Sequence, residues 1–498
     1  MSENGLASLW EEEKLPEFPA LSGDCAADTA VVGGGLCGLL CAYELMKSGI
    51  KNIVILEARR ICSGTTAHTT GKITSQHRLI YRRLIEGLGL RAARDYAHIS
   101  EEAIARYGQI VKAEKIDCDF TPCDAFLYAV TDEEAKKLKE EAEAAKRLAI
   151  DASIVRECEL PFPITAALRF PGQARFHPLK FAHGIVDALT RGGVHIFENS
   201  RALALEDGVT VTRDGRLYAK RTILCTHYPF VNLRGLYFTK MIQNRSYVLA
   251  LEGPPALQNM YLGSADSGYS FRSQQSSGGP PLLLLGGCGH KTGHETGVSH
   301  YRNLEKTARR LYPECSVKYR WSAQDCMTAD GIPYAGRYRQ MDGNIYLACG
   351  FNKWGMTGCM ASARILARLI ASGEEESSVF SPSRSDFSFQ SPEIFRQAGD
   401  TVSNFLKGYF SVPSKSLPQL QPGEGGVVDY SGSKIGALRD EEGSLHAVET
   451  VCPHMHCPLK WNPEEKTWDC PCHGSRFDAD GKVLEGPAVH SLARRGPT

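Results

Sequence analysis

Residues 28–57 read DTAVVGGGLCGLLCAYELMKSGIKNIVILE. The apolar run at 28–32 predicts a strand, and 39–48 carries the apolar spacing of a helix that Gly49 ends. A second strand is predicted at 52–56, running into Glu57. Strand, helix and strand in this order form a βαβ unit, the element from which parallel sheets are built. Its first turn is Gly33-Gly34-Gly35-Leu36-Cys37-Gly38, a match to G-x-G-x-x-G, and Glu57 follows 19 residues after Gly38. A lone glycine pattern carries little weight. One that leaves a strand, opens a helix and is answered by a distant acid is the dinucleotide fingerprint. Gly33 permits the tight turn, Gly35 lets a pyrophosphate approach the backbone, and Gly38 lets helix and strand pack closely. Leu36 and Cys37 sit at the helix amino terminus, where N–H groups and the dipole favour phosphate. Glu57, followed by Ala58, is placed to accept from ribose hydroxyls.

Outward from this unit, helices are predicted around 91–115, 132–148 and 178–192, the second a charge-laced, solvated one. Strands are predicted at 209–212, 221–226 and 345–350, and 240–290 alternates like a sheet. A second glycine cluster, Gly286-Gly287-Cys288-Gly289, is followed by His290-Lys291 and not by an apolar helix. It reads as a loop at a sheet end and not as an NAD(P) site. Residues 372–392 hold eight serines and two prolines and read as a linker. An amphipathic helix is a candidate at 393–410, and a short alternating β region closes the chain.

The 498 residues allow about three domains. Lys plus Arg and Asp plus Glu both number 57, a balance that weighs against a nucleic-acid partner. No apolar run approaches the ~18–20 residues of a membrane span. Met1-Ser2-Glu3-Asn4 lacks the layout of a signal peptide, so a cytoplasmic location is expected. Of 17 cysteines, 13 are scattered through the first 359 residues and four crowd between Cys452 and Cys472. Scatter suggests small buried hydrophobes; crowding suggests chemistry.

Three further stretches occur in order. The first is Ser63-Gly64-Thr65-Thr66-Ala67-His68-Thr69-Thr70-Gly71, the second WSAQDCMTADGIPYAG at 321–336, and the third Gly350-Phe351-Asn352-Lys353-Trp354-Gly355-Met356-Thr357. On these, residues of about 25–370 resemble the D-amino-acid oxidase-like flavoenzymes, which include glycine oxidase and the sarcosine and dimethylglycine dehydrogenases. The resemblance implies FAD in preference to NAD. It implies that Ser63, Gly64, Thr65, Thr66 and His68 pass the isoalloxazine. Gly350, Trp354, Gly355, Met356 and Thr357 would head a helix aimed at the flavin pyrimidine edge, where N–H groups and the dipole stabilise the reduced anion. His68 has the spacing of a histidine that is covalently bonded to flavin in some members. The alternatives are a ring stacked near a non-covalent flavin or a loop hydrogen-bonder, since Ala67 stands where those members have an aromatic residue. A cysteine linkage used by other members is not carried over to Cys326, because Ala323 falls at the matching position. Tyr269, Arg272, His290 and Lys291 fall where family substrate-lid residues sit. Arg272 is a candidate carboxylate clamp or an ordinary surface arginine.

The carboxyl-terminal cluster reads Cys452-Pro453-His454, then 15 residues, then Cys470-Pro471-Cys472-His473. Zinc fingers usually pair Cys with Cys and His with His. Here each half offers one of each, which suits a 2Fe–2S centre with two thiolates on one iron and two imidazoles on the other. Cys452, His454, Cys470 and His473 are the expected ligands. Residues of about 424–495 also resemble the Rieske proteins of respiratory quinol–cytochrome c reductases. That resemblance implies a Cys457–Cys472 disulfide and a proline loop at Gly486-Pro487-Ala488. One departure is Phe477, where the respiratory pattern has a Tyr that donates to a ligand sulfur. Losing that hydrogen bond predicts a potential below the respiratory proteins and above plant-type ferredoxins.

The expected fold is an α/β FAD-binding Rossmann-type domain with an antiparallel-sheet substrate domain, plus a small all-β Rieske domain. The FAD-dependent module is expected over 1–371. Within it the cofactor core takes about 25–85, 175–230 and 320–371, and the substrate domain about 86–174 and 231–319. A linker at 372–423 and the Rieske domain at 424–498 follow. A flavin takes two electrons as a hydride and the cluster carries one, so the pair converts two-electron to one-electron transfer. The resemblance implies an oxidoreductase acting on a C–N bond of an amino acid or a secondary or tertiary amine, with electrons passed singly to an external carrier. Three alternatives stay open: an oxidase using O2 with a regulatory Rieske domain, a reductase with reversed electron flow, and a non-enzymatic electron-transfer protein or redox sensor. No 2-His-1-carboxylate iron domain is present, which weighs against a Rieske oxygenase. No catalytic base stands out.

Overall fold

The computed structural model describes residues 6–231, 235–266, 268–276, 278–294, 298–339, 343–373, 379–384, 399, 413 and 415–495. The strand Cys25–Val32 pairs in parallel with Ile53–Leu56 on one side and Arg216–Leu224 on the other. The order through this eight-stranded sheet is Tyr334–Arg337, Ile345–Cys349, Arg216–Leu224, Cys25–Val32, Ile53–Leu56, His195–Phe197, with Val209–Val211 pairing antiparallel to Arg216–Leu224 and Ala204–Glu206 to Val209–Val211. Val31, Ile55 and Ile223 are fully buried, and the helices Leu36–Lys47, Pro178–Arg191 and Gly355–Ser372 contribute to the same core. Strands covered on both faces are apolar throughout, which is why they read clearly in the sequence.

A nine-stranded sheet lies beside the parallel one. Its order is Ser316–Thr328, Met241–Glu252, Leu282–Lys291, Ser270–Gln274, Met260–Gly263, Thr121–Ala129, Ala166–Arg175, Lys72–Ile73, with Ser153–Val155 paired to Ala166–Arg175. The pairing is antiparallel except between Met260–Gly263 and Thr121–Ala129. Three expectations change here. Residues 320–328, assigned above to the cofactor core, belong to this sheet, and so does Lys72–Ile73. Gly286–Gly289 is not a loop: it continues the strand Leu282–Lys291 and pairs with Met241–Glu252. Its glycines are where other side chains come close, since a Cβ on Gly289 would lie 2.9 Å from Lys353 Nζ.

The linker expected at 372–392 is also corrected in part. Gly373 ends the preceding helix in the left-handed conformation, but Val379 and Phe380 are buried in the core beneath the helix Ile80–Glu114. Phe380 stacks on Tyr96 at 5.5 Å. Arg384 pairs with Asp330 at 2.7 Å, and its guanidinium covers the Tyr334 ring at 3.9 Å. The helix expected at 393–410 falls, apart from Gly399, outside the described residues.

The carboxyl-terminal region is all β. It comprises a three-stranded sheet, Gly425–Tyr430, Ser433–Arg439 and Leu445–Val448, and a four-stranded sheet, Lys460–Asn462, Thr467–Asp469, Arg476–Phe477 and Val483–Glu485. Among the described residues, no helix is long and apolar enough to cross a membrane.

Candidate functional site

The glycine turn follows Cys25–Val32, and Gly35 caps the amino terminus of Leu36–Lys47. Gly33 has φ +113, and a Cβ on Gly38 would stand 1.9 Å from Gly33 O, so neither position admits a side chain. Thr66 Oγ1 accepts from Leu36 N at 3.0 Å and ties the 63–71 loop to the helix. Glu57 accepts from Gly34 N and Arg59 N, both at 2.8 Å. Oε2 therefore holds the glycine turn and Oε1 the chain just past Glu57, and each keeps a lone pair for a ribose hydroxyl.

These elements line a cavity of about 360 Å³. Of the residues expected to bind cofactor, Gly33, Gly35, Leu36, Cys37, Glu57, Ala58, Gly64, Thr65, Thr66, His68, Trp354, Gly355 and Met356 face it. Gly38, Ser63, Gly350 and Thr357 do not. Ser63 faces a neighbouring cavity, and Thr357 Oγ1 donates to Thr74 O at 2.6 Å. His68 Nδ1 meets Gly64 O at 2.8 Å, and its Nε2 lies 4.0 Å from Glu11 Oε1. The cradle fits FAD: open backbone at Gly35, a helix amino terminus whose Gly35 N-cap supplies no side-chain cap, and an acid just after the second strand.

The four substrate candidates lie elsewhere. Arg272 is fully buried and donates to the carbonyls of Thr70, Gly71, Phe176 and Ser273, so it shapes the flavin loop and cannot clamp a carboxylate. His290 stacks on His300 at 4.2 Å, and Tyr269 accepts from Thr307 Oγ1 at 3.0 Å. Lys291 pairs in register with Asn244 and acts electrostatically on His473. The charged residues that do line the cavity include Lys72, Arg78, Asp325 and Lys353. Burial, with Arg272 and Arg78 adding repulsion, pushes Lys72 down to about 7; its ammonium donates to Ser270 Oγ. Burial pushes Asp325 up to about 6 against the pull of Lys353, whose Nζ donates to Ser246 Oγ at 2.9 Å. The sequence offered a signal for two of these: Lys72 directly follows the 63–71 loop, and Lys353 stands inside the third stretch.

In the carboxyl-terminal domain, the loops at 452–457 and 470–475 bring the expected ligands together. Cys452 and Cys470 are buried and hydrogen-bond through their sulfurs. The imidazoles of His454 and His473 meet edge to face at 5.1 Å. His473 Nδ1 is buried with no hydrogen-bond partner among the described residues. Two thiols and two imidazoles, one nitrogen of them unsatisfied, fit a Rieske cluster. Cys457 and Cys472 form a disulfide. Ser475 hydrogen-bonds to Cys452 and accepts from Ala488 N at 3.0 Å, holding the proline loop over the ligands.

The two domains meet at this point. Leu484, Glu485, Gly486, Pro487, Ala488 and Val489 complete the wall of the flavin cavity. Arg245 of the nine-stranded sheet is 2% exposed and pairs with Glu465 at 2.6 Å, and Arg476 reaches both Glu465 and Asp469. Burial alone would raise Glu465; Arg245 and Arg476 instead hold it down to about 2.

Comparison with known proteins agrees with both halves. The family model described as FAD dependent oxidoreductase (DAO) matches residues 28–369, and the Rieske [2Fe-2S] domain model matches 410–494. A Bacillus subtilis protein named as a Rieske 2Fe-2S iron-sulfur protein, YhfW, is 37% identical over 487 residues, covering 96% of this chain and 95% of that one. Gamma-glutamylputrescine oxidoreductase of Escherichia coli is 24% identical over 387 residues, covering 74% of this chain and 89% of its own. The structure of glycine oxidase from Geobacillus kaustophilus superposes with a TM-score of 0.60 at 18% identity, over 72% of this chain and 99% of that one. A matched cradle, a matched ligand set and these relatives lead to one conclusion: the chain belongs to the DAO family of FAD-dependent oxidoreductases and carries a carboxyl-terminal Rieske [2Fe-2S] domain.

Proposed function

We propose that this chain oxidises a C–N bond of an amino acid or a secondary or tertiary amine and delivers the electrons singly, through the Rieske cluster, to an external one-electron carrier. The observation that carries the reading is the cavity itself. One wall is the dinucleotide turn, another the nine-stranded sheet with Lys72 and Asp325, with Lys353 reaching in from the loop before the helix Gly355–Ser372, and a third the proline loop of the cluster domain. Bound FAD supplies a hydride acceptor and the cluster a one-electron relay. The chain's own residues do the rest. Lys353 and Arg78 give the cavity positive charge for a carboxylate, and Ser246 and Ser270 orient the lysines. Lys72, held near neutrality, accepts the proton of an incoming ammonium so that the amine is bound with its lone pair free. The imine formed then hydrolyses in water. The names of the relatives point the same way, one being an oxidoreductase of gamma-glutamylputrescine and another a glycine oxidase.

Anaerobic stopped-flow mixing with a panel of amino acids and amines tests this. Flavin bleaching followed by loss of the cluster's visible absorption is expected. Bleaching with no cluster reduction, and rapid peroxide formation in air, would make the protein an oxidase instead. No spectral change with any amine would remove the enzyme reading.

A further inference from the structure

The cluster domain does not lie loosely against its neighbour. His473 is 4% exposed, with Phe238 edge-on at 5.8 Å. The loop it stands on is pressed into the nine-stranded sheet. Gly474 has φ +77, and a Cβ there would fall 2.3 Å from Gln243 Cβ. A Cβ on Gly293 would fall 2.6 Å from Pro471 N. Gln324, 1% exposed, joins the two centres' loops directly. Its Nε2 donates to Gly474 O at 2.8 Å, its Oε1 accepts from Thr292 Oγ1 at 2.8 Å, and its backbone O accepts from Thr65 Oγ1 at 3.3 Å. Thr65 lies in the loop that lines the flavin cavity, and Gly474 adjoins a cluster ligand. The opposite ligand loop is more open: His454 is half-buried and His456 exposed.

We infer that each cluster is filled by the flavin of its own chain, across the face built by Gln243, Gln324 and Gly293, with His473 as the receiving ligand and Gln324 as the residue that positions it. This rests on the functional reading above and makes it specific. The electron balance is simple. Amine oxidation would release two electrons to a bound FAD, a 2Fe–2S cluster held by these ligands would take them one at a time, and a one-electron carrier would remove each in turn. The buried Arg245–Glu465 pair sits beside this face and resists its separation.

The test needs no substrate. The flavin of the full-length holoprotein is reduced anaerobically with light and EDTA, and cluster reduction is followed by visible absorption and by EPR. The expected rate is first-order and independent of protein concentration. Gln324→Leu and Gly293→Ala both lie on the flavin side and replace no iron ligand, although the added methyl of the second presses on the backbone of Pro471 and Cys470. Each lowers the docked fraction, and a fall of about tenfold in that fraction lowers the transfer rate by the same factor. The flavin spectrum, the cluster EPR signal and the thermal unfolding midpoint report whether each variant is intact. A rate that rises with protein concentration, or unchanged rates in both intact variants, overturns the intrachain route and leaves the functional reading standing. A cluster that is never reduced, at any concentration, sinks that reading as well.

Discussion

Phe477 is fully buried in the core that also contains Cys452, Cys470 and Cys472. A hydroxyl there would donate toward a ligand sulfur, as Ser475 already does to Cys452. Phe477→Tyr is therefore expected to raise the cluster potential in a redox titration; an unchanged or lowered value refutes this. At His68, one ring nitrogen is occupied by Gly64 O and the other faces Glu11. That arrangement favours a ring packed beside a non-covalent flavin, so acid-precipitated protein is expected to release all its flavin into the supernatant. Flavin that stays with the pellet would establish the bond. Lys72 makes a prediction with a sign. Only its neutral form accepts a proton, and its value of about 7 means that kcat/KM for an amine substrate rises with pH through that region and then levels. Lys72→Met is expected to flatten this rise and lower kcat/KM by about 10²–10⁴. A retained rise would place the proton acceptor elsewhere.

At the scale of elements, the strand Met241–Glu252 performs two tasks. Its outer half carries Ser246 and Tyr247 at the flavin cavity, and Gln243 and Arg245 from the same strand hold the cluster domain. Glu465→Gln leaves Arg245 and Arg476 buried with less compensation, and is expected to cost about 3–5 kcal/mol in chemical unfolding. Because Glu465 titrates below an unfolded glutamate, its stabilisation is present above pH ~4.3 and is lost as pH falls toward 2. These elements differ in how well the chain advertises them. The βαβ unit was legible because its determinants are local: an apolar run, a glycine turn, a helix period and an acid at fixed spacing. The ligand loops were legible because few residue types bind iron. Arg245, Glu465 and Gln324 were not, since each alone resembles an ordinary surface residue and gains meaning only from a partner 150 or more positions away. Arg272 misled for the same reason: its guanidinium nitrogens donate to backbone carbonyls from three separate segments and to the Gln274 side chain. Gly286–Gly289 misled because glycines usually end strands, whereas here they make room for Lys353 and Tyr269.

For the whole molecule, the joining of a parallel-sheet domain, an antiparallel sheet and an all-β cluster domain explains the uneven distribution of cysteine. Among the described residues, Cys457 and Cys472 are paired, and Cys452 and Cys470 are placed for iron. Cys37, Cys41 and Cys225 instead touch one another in the core beneath the glycine turn, their sulfurs within 4.8 Å. Two-electron substrate and one-electron relay also fix a stoichiometry: each amine oxidised is expected to reduce two equivalents of a one-electron acceptor such as cytochrome c, counted spectrophotometrically. One equivalent, with peroxide as the other product, would show electrons escaping at the flavin. The anchoring of Val379–Arg384 has a consequence for how the cluster behaves once its docking is broken. Arg384 is fixed to the flavin module, and the carboxyl-terminal fold begins at Leu417, 33 residues later. A segment of that length reaches at most about 110–120 Å even when fully stretched. The cluster is therefore tethered, and its own flavin meets it at an effective concentration on the order of millimolar. Dilution does not separate the partners, so an opening of this contact returns the cluster to its own flavin and not to another chain.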